Sequence, residues 1–343
     1  MESLNIAIDV GTGYVKGVKG MNEEGKQVIF SSHVAPATDL VLADFGNGDG
    51  GYTSVIKLMG SRSDSEKYFI GDLAIREGRN PGFNLEREKY LHIDHTVLLL
   101  TAARLLLGDV QQSDPLNLAI GLPIGYYKRY KGELRNNLQD LSACVSVNNL
   151  DSLMLEFDKV YVYPQGVGAL FTLAQDLPDT GLVGVVDPGC GTTEYLAIEI
   201  KNGKAYPVSS LSGSVEIGTY AIYQSVADEY QSVSGGVMSL ARANQVVRDG
   251  KGKAFYRGNE IDLTAAIAKA RMETAKSIAD GILSTWKNIH DMMRKVYLAG
   301  GGALEMRSLT DFFPAAVILA DPQWANVRGY ISTMDAISEG ATP

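Results

Sequence analysis

Val183-Gly184-Val185-Val186-Asp187-Pro188-Gly189-Cys190-Gly191-Thr192-Thr193-Glu194 is an apolar run that ends on a carboxylate, then two glycines at alternate positions and two hydroxyl residues. A further apolar run, residues 195–200, follows it. The pattern predicts a β-hairpin closed by a tight, backbone-rich turn. Glycine lets main chain approach a ligand closely and aim its N–H groups at it. Such a turn forms a nest for phosphate oxygens. The adjoining carboxylate would repel phosphate directly, but it can hold a hydrated Mg²⁺ that bridges to phosphate.

The design occurs twice. Leu4-Asn5-Ile6-Ala7-Ile8-Asp9-Val10-Gly11-Thr12-Gly13-Tyr14-Val15-Lys16 is again apolar run, Asp, Gly-x-Gly, with Asp9, Gly11 and Gly13 matching Asp187, Gly189 and Gly191. One Asp-x-Gly-x-Gly is an ordinary hairpin turn. Two copies, each fed by a strand, point to a duplicated architecture whose turns face one ligand across a cleft. Lys16, on the returning strand, can reach a phosphate held on the first turn.

The chain has 343 residues, more than one ordinary core accommodates, so two domains are expected. The net charge of −9 excludes a global basic field for nucleic acid. Two cysteines imply no disulfide framework and favour a reducing cytoplasm. The opening residues lack the basic flank and long apolar core of a signal peptide. The most apolar stretch, residues 95–107, is interrupted by Arg104 and is too short to span a bilayer.

In chain order, residues 6–29 read as antiparallel strands with a turn at 22–25, and residues 35–81 as a small inserted lobe with strands near 52–58 and 67–70. Residues 92–108 predict a helix, Asp94 its N-cap, apolar nearly all round and so buried between layers. His92 and His95 read as structural residues, since no Cys or further His completes a metal site. A core strand at 117–122 precedes a helix at 126–141. The strand 159–163 leads into a helix at 164–174 with Pro164 in its first turn. Glu216-Ile217-Gly218 opens a helix running to about residue 230, whose first N–H groups favour an anion. Residues 232–259 hold a local basic stretch, and residues 263–290 a long helix. Gly300-Gly301-Gly302 is a turn between strand and helix, with no Lys-Ser or Lys-Thr after it to make a P-loop. A last strand at 316–320 precedes a C-terminal helix.

Taken together, these stretches resemble the actin-like ATPases of the actin, Hsp70 and sugar-kinase superfamily. The first phosphate loop is similar to residues 9–16, the first connecting helix to 164–169 and the second phosphate loop to 187–193. The adenosine motif is similar to residues 298–303 and the second connecting helix to 326–330. Tyr163-Pro164-Gln165-Gly166-Val167-Gly168-Ala169 and residues 320–330 narrow the resemblance to the ParM branch, the plasmid-segregation actins of bacteria and their archaeal relatives. Pro188 and Cys190 depart from that pattern, yet positions 189 and 191 remain glycine.

The resemblance implies an α/β, actin-like (ribonuclease H-like) duplicated fold, two domains flanking a nucleotide cleft. The first is residues 1–178 plus 318–343, with the inserted lobe at about 35–81; the second is 179–317, with an insertion at about 232–259. It further implies filaments that polymerise with ATP or GTP and Mg²⁺, serving plasmid DNA segregation in the cytoplasm. On this reading Gly11, Thr12, Gly13 and Lys16 contact phosphates from one side, and Gly189, Cys190, Gly191 and Thr192 from the other. Asp9 and Asp187 orient Mg²⁺ through water, and Gln165 positions the attacking water. Gly218, Gly300, Gly301 and Gly302 let main chain approach the nucleoside, with Arg271, Glu273 and Lys276 on the helix beside the base and ribose. Partners would be further copies of the chain and a DNA-binding adaptor, without direct nucleic-acid or membrane contact. The filament contacts are expected at residues 35–81 and 232–259. The alternative is a non-polymerising superfamily member such as a small-molecule kinase, which needs a catalytic Asp that the sequence does not display. A chaperone of this kind would add a substrate domain after the ATPase, and a division protein an amphipathic tail; residues 332–343 resemble neither.

Overall fold

The structure, a computed structural model, describes residues 3–20, 25–39, 50–60, 64–79, 89–108, 115–173, 177–313 and 315–338. The chain divides into two compact units, one of Met1–Leu122, Tyr126–Pro164 and Asn326–Pro343, the other of Pro123–Gly125 and Gln165–Ala325.

The first unit begins with strands β1 (Leu4–Val10), β2 (Tyr14–Lys19), β3 (Lys26–Ser31), β4 (Val34–Pro36), β5 (Gly51–Leu58) and β6 (Glu66–Gly71). Then come helix α1 (Asp72–Glu77), a 3-10 turn at Lys89–Leu91, helix α2 (Ile93–Leu107), β7 (Leu116–Leu122), helix α3 (Ile124–Gln139), β8 (Ser142–Val147), β9 (Leu153–Glu156) and β10 (Lys159–Pro164). One sheet has the order β10-β7-β1-β2-β3. Its β10, β7 and β1 are parallel, and β1, β2 and β3 antiparallel. Every residue of β7 is buried, as suits a parallel strand covered on both faces. Helix α2 is buried through Val97, Leu98, Leu99, Leu100, Leu106 and Leu107. Its Arg104 is buried too, and donates to the carbonyls of Asp151 and of Gly108 just past the helix end. A cation on the C-terminal carbonyls suits the helix dipole. The N-cap is His92 rather than Asp94, which lies in the first turn.

The second sheet of this unit, β4-β6-β5-β8-β9, changes the reading of residues 35–81. They form no self-contained lobe, because β5 pairs with β8 from Ser54↔Val147 to Leu58↔Ala143. Of the turn expected at 22–25, all but Gly25 lies outside the described residues.

The second unit contains α4 (Val167–Thr172), β11 (Gly181–Pro188), β12 (Thr193–Lys201), β13 (Lys204–Pro207), β14 (Gly213–Val215), α5 (Tyr220–Ser234) and α6 (Leu240–Arg248). The hairpin β15 (Lys253–Tyr256) and β16 (Asn259–Asp262) follows, then α7 (Thr264–Trp286), β17 (Met293–Leu298), α8 (Gly300–Glu305) and β18 (Ala316–Ile318). Its sheet has the order β13-β12-β11-β17-β18, with β14 on β12. Strands β11, β12 and β13 are antiparallel, and β11, β17 and β18 parallel. The strand pattern of the first unit is thus repeated, hairpin strands on one side and parallel strands on the other. Trp286 anchors this core, fully buried, its indole N–H donating 2.8 Å to the Leu211 carbonyl.

The last helix, α9 (Ala325–Ser338), packs in the first unit. Asp335 accepts from Asn5 Nδ2 at 2.8 Å, and the Tyr330 ring stacks on Tyr163 at 5.3 Å. The units therefore part at 164/165 and 325/326, not at 178/179 and 317/318. The shift has a packing cause: Ala169, Leu170 and Leu173 join the core of Val183, Val185, Leu196 and Ile198. Pro164 ends β10 instead of opening the helix.

Candidate functional site

Each glycine turn closes in the same way. Gly11 N–H donates to the Tyr14 carbonyl at 3.2 Å, and Gly189 N–H to the Thr192 carbonyl at 2.8 Å. A Cβ at Gly11 would lie 2.8 Å from that carbonyl oxygen, and one at Gly189 3.0 Å from its counterpart. A side chain at 11 would thus force the turn to shift, and one at 189 would press on it.

At the first turn, Asp9 lies opposite Lys16 across the hairpin, and Nζ meets Asp9 Oδ2 at 3.0 Å. Ser32, beyond β3, holds the turn from behind. Its hydroxyl donates to the Gly11 carbonyl at 2.7 Å and its N–H to the Gly13 carbonyl at 3.0 Å. Both oxygens, which would repel an anion, are thereby engaged. Lys89 reaches the tip, its Nζ donating to Thr12 Oγ1. Neither Ser32 nor Lys89 stands out in the sequence, since each comes from a distant stretch.

At the second turn, Asp187 is buried and lies opposite Glu194. The register is that of Asp9 and Lys16, so one copy carries a lysine where the other carries a glutamate. Glu194 accepts from the Ile124 N–H at 2.8 Å and from the Ser214 hydroxyl, which also accepts from Gly125 N–H at 2.9 Å. These bonds cap the start of α3. Burial pushes the Glu194 carboxyl up to about 7; hydrogen bonds from Ser214, Ile124 and Thr192 oppose this, and the nearby Asp187 charge adds to it. Overlaying the two copies residue by residue is the signal that singles out Glu194.

Gly218 packs on the second turn. A Cβ there would fall 2.4 Å from the Cys190 carbonyl oxygen. The next two N–H groups, of Thr219 and Tyr220, donate to the carbonyls of Gly189 and Cys190 at 3.1 and 2.9 Å. The start of α5 thus braces the turn's carbonyls. Gly300 and Gly302 also abut this turn, on Asp187 and Pro188, while Gly301 faces Gln323. Cys190, Gly191 and Thr192 are half-buried at its tip. Gln165 sits in the bend between β10 and α4, ahead of the helix. The bend needs glycine at 166, where φ is +80° and a Cβ would meet Leu196 Cδ1 at 2.5 Å.

On α7, Lys269–Glu273 and Lys276–Asp280 are exposed ion pairs one turn apart. Arg271 instead pairs with Glu305 at 2.6 Å and lines a cavity of about 430 Å³ with Ala268, Met272, Leu304 and Arg307. His95 is a core residue, edge-on to Tyr90 at 5.6 Å. Among the described residues, no three His, Cys, Asp or Glu are grouped to hold a metal, and no helix is long and apolar enough to cross a membrane. Each turn by itself offers a buried carboxylate beside glycine main chain, a donor set of hard oxygens that fits Mg²⁺ with phosphate.

Residues 7–168 match the family model described as the N-terminal domain of actin like proteins, and residues 185–311 that of the archaeal actin homologue MreB-like, C-terminal. A ParM filament from Clostridium botulinum superposes with a TM-score of 0.84 at 23% identity, over 98% of this chain and 99% of that one. An archaeal actin homologue in complex with ADP superposes with a TM-score of 0.76 at 20% identity, over 96% and 99%. The Alp12 filament structure gives 0.64 at 17% identity, over 98% and 99%. These likenesses establish the two-domain actin-like fold. No curated protein matches the sequence.

Proposed function

From a chain that is actin-like in both of its halves, we propose a nucleotide-hydrolysing filament protein of the ParM kind. It assembles with ATP or GTP and Mg²⁺ in the cytoplasm and moves DNA, a plasmid foremost, through a DNA-binding adaptor. The observation that carries nucleotide use is the paired construction of the turns. Each has a glycine N–H bonded to the carbonyl three residues on, two residues after a buried carboxylate. Self-association is supported by the filament structures among the fold's likenesses. With a net charge of −9, contact with DNA is better made through a basic partner.

Gly11, Thr12 and Gly13 serve phosphate oxygens at one turn with Lys16, and Gly189, Cys190, Gly191 and Thr192 at the other. Asp9 and Asp187 orient Mg²⁺ through its waters. When bound there, the ion would supply charge neutralisation to the phosphoryl group in transfer. The Arg271 cavity is the place for the nucleoside, with Gly301 at the start of α8. Gln165 positions the attacking water, because an amide orients water without being a strong base. Gly218, Gly300 and Gly302 act by letting the second turn close.

Light scattering with phosphate release in the same cuvette tests the whole reading. After ATP–Mg²⁺ or GTP–Mg²⁺ is added, scattering is expected to rise above a critical concentration and decay as nucleotide is consumed. Flat scattering with phosphate release would reject polymerisation and favour a soluble kinase. Gln165→Ala is expected to slow phosphate release by about a hundredfold, the scale of losing the positioning of a reacting group, while assembly persists. Unchanged hydrolysis would remove Gln165 from the mechanism.

A further inference from the structure

Helix α3 is buried through Tyr130, Leu134 and Leu138, which recur every fourth residue and so share one side. Gly132 lies on the other side, in the middle of the helix, and is exposed. A glycine inside a helix is less stable there than alanine, because it orders more backbone freedom. The fold gives no reason for it, since nothing lies within 4 Å of a Cβ built at 132. The residues three and four positions away are Lys128, Arg129, Arg135 and Asn136, all exposed. They are its neighbours on the helix surface, and none is acidic. The Arg129 guanidinium lies 5.0 Å from the Tyr130 ring centroid. Lys128 and Arg135 make no ion pair among the described residues. Bare main chain with cations around it suits an acidic surface that comes close.

Such a surface is present on α5. That helix contains no lysine or arginine, and it is buried through Ile222, Tyr223, Val226, Ala227 and Tyr230. Ser225, Asp228, Glu229 and Ser232 are exposed, and their spacing puts them together on the outward side. Asp228 accepts from the Gln224 amide at 2.9 Å. Neither carboxylate makes an ion pair among the described residues. The chain as a whole has a net charge of −9, so two copies repel each other at a distance. Bodies of like charge associate where one offers a local face of opposite sign. Helix α3, with four cations against one carboxylate, is such a face.

We propose that the Gly132 face of α3 docks on the Asp228–Glu229 face of α5 in a second copy of this chain. This rests on the self-association reading above. The two faces differ, and Gly132 belongs to the first unit and α5 to the second. A contact between unlike faces repeats from copy to copy, and builds an open filament unless its rotation closes a ring. Glycine on one helix and two serines on the other let the axes approach to about 8 Å, the near end of the interhelical range.

The test is sedimentation over a range of concentrations with ATP–Mg²⁺ and with GTP–Mg²⁺. The variants are Lys128→Glu with Arg135→Glu, Asp228→Lys with Glu229→Lys, all four changes together, and Gly132→Gln. Each reversed pair sets like charges against each other, and is expected to raise the critical concentration by about tenfold or more. Combining the four restores opposite signs and is expected to bring it back to within about threefold of wild type. Gly132→Gln is expected to raise the melting temperature of the unassembled chain, since glutamine is the better helix former. The same substitution is expected to weaken assembly, a split that a purely structural glycine would not give. A critical concentration that neither pair changes, or that only one pair changes, overturns the proposal. So does loss in both pairs without recovery in the combination, or wild-type assembly by Gly132→Gln. A wild-type chain that fails to sediment with either nucleotide overturns the self-association reading itself, and this contact with it.

Discussion

Gly300→Ala is expected to lose nucleotide binding and to destabilise the second unit by about 2–4 kcal/mol, a left-handed non-glycine residue plus displaced packing. Gly300 has φ +72°, and a Cβ built on it lies 2.1 Å from Asp187 Oδ1 and 2.9 Å from the Pro188 carbonyl oxygen. Asp187 is buried, so its carboxylate cannot swing into solvent to make room. The methyl group must push either the proposed Mg²⁺-orienting carboxylate or the backbone of the second turn. Gly203→Ala is the control, with φ +71° and no atom within 4 Å of the new Cβ. It carries the backbone strain alone, about 1–2 kcal/mol. Denaturant unfolding and nucleotide titration of both variants separate strain from collision. Equal behaviour would show that Asp187 tolerates displacement and is no fixed part of the site.

The pH profile of stability is expected to peak near pH 6.5, and Glu194→Gln to flatten its alkaline side. Glu194 has a folded value raised from 4.5 to about 7. Between those values the folded chain holds a proton that the unfolded chain has released. This contribution is therefore whole at low pH and is lost as pH rises towards 7. A rise of that size corresponds to about 3 kcal/mol. The buried histidines work in the opposite direction. Burial holds His33 down to about 4 and His95 down to about 3, against 6.5 when unfolded. Their contribution is whole above 6.5 and is lost as pH falls towards those values. Two histidines against one glutamate give falling stability below pH 6.5, while between 6.5 and 7 only the glutamate term acts. Glu194→Gln keeps an acceptor for Ile124 and Ser214 and cannot ionise. The difference in stability between variant and wild type should therefore shift in favour of the variant from pH 5 to pH 7.5. A constant difference across that range would mean that Glu194 titrates normally and that its burial carries no charge penalty.

Local pattern made the core elements legible. Both Asp-x-Gly-x-Gly hairpins form where apolar runs flank turn residues, and α2 is buried because its apolar positions surround the helix. The triple glycine is not the expected turn between β17 and α8: Gly300, Gly301 and Gly302 are the first residues of α8 itself, with Ala299 alone between strand and helix. What escaped the sequence is what distance in the chain conceals. Lys89 meets Thr12, and Ser32 braces Gly11, through contacts that no spacing rule encodes. Pro164 had the composition of a helix start, but pairing with Leu122 extended β10 over it and moved the helix three residues on. The strands expected at 35–81 do not stand alone for the same reason: two of the five strands of their sheet are written elsewhere, in residues 142–156.

The late strand and the last helix also set a timetable. While the chain is being made, β5 waits for β8 with one edge open, and the first unit gains α9 only after all of Gln165–Ala325 has been synthesised. At about 5–20 residues per second that interval is roughly 10–30 s. The unit whose sequence comes first is thus the last to be finished. During that interval the apolar surface that α9 covers is open to other nascent chains, so the half of the protein that waits longest for its last element on the ribosome is the one that carries Lys16.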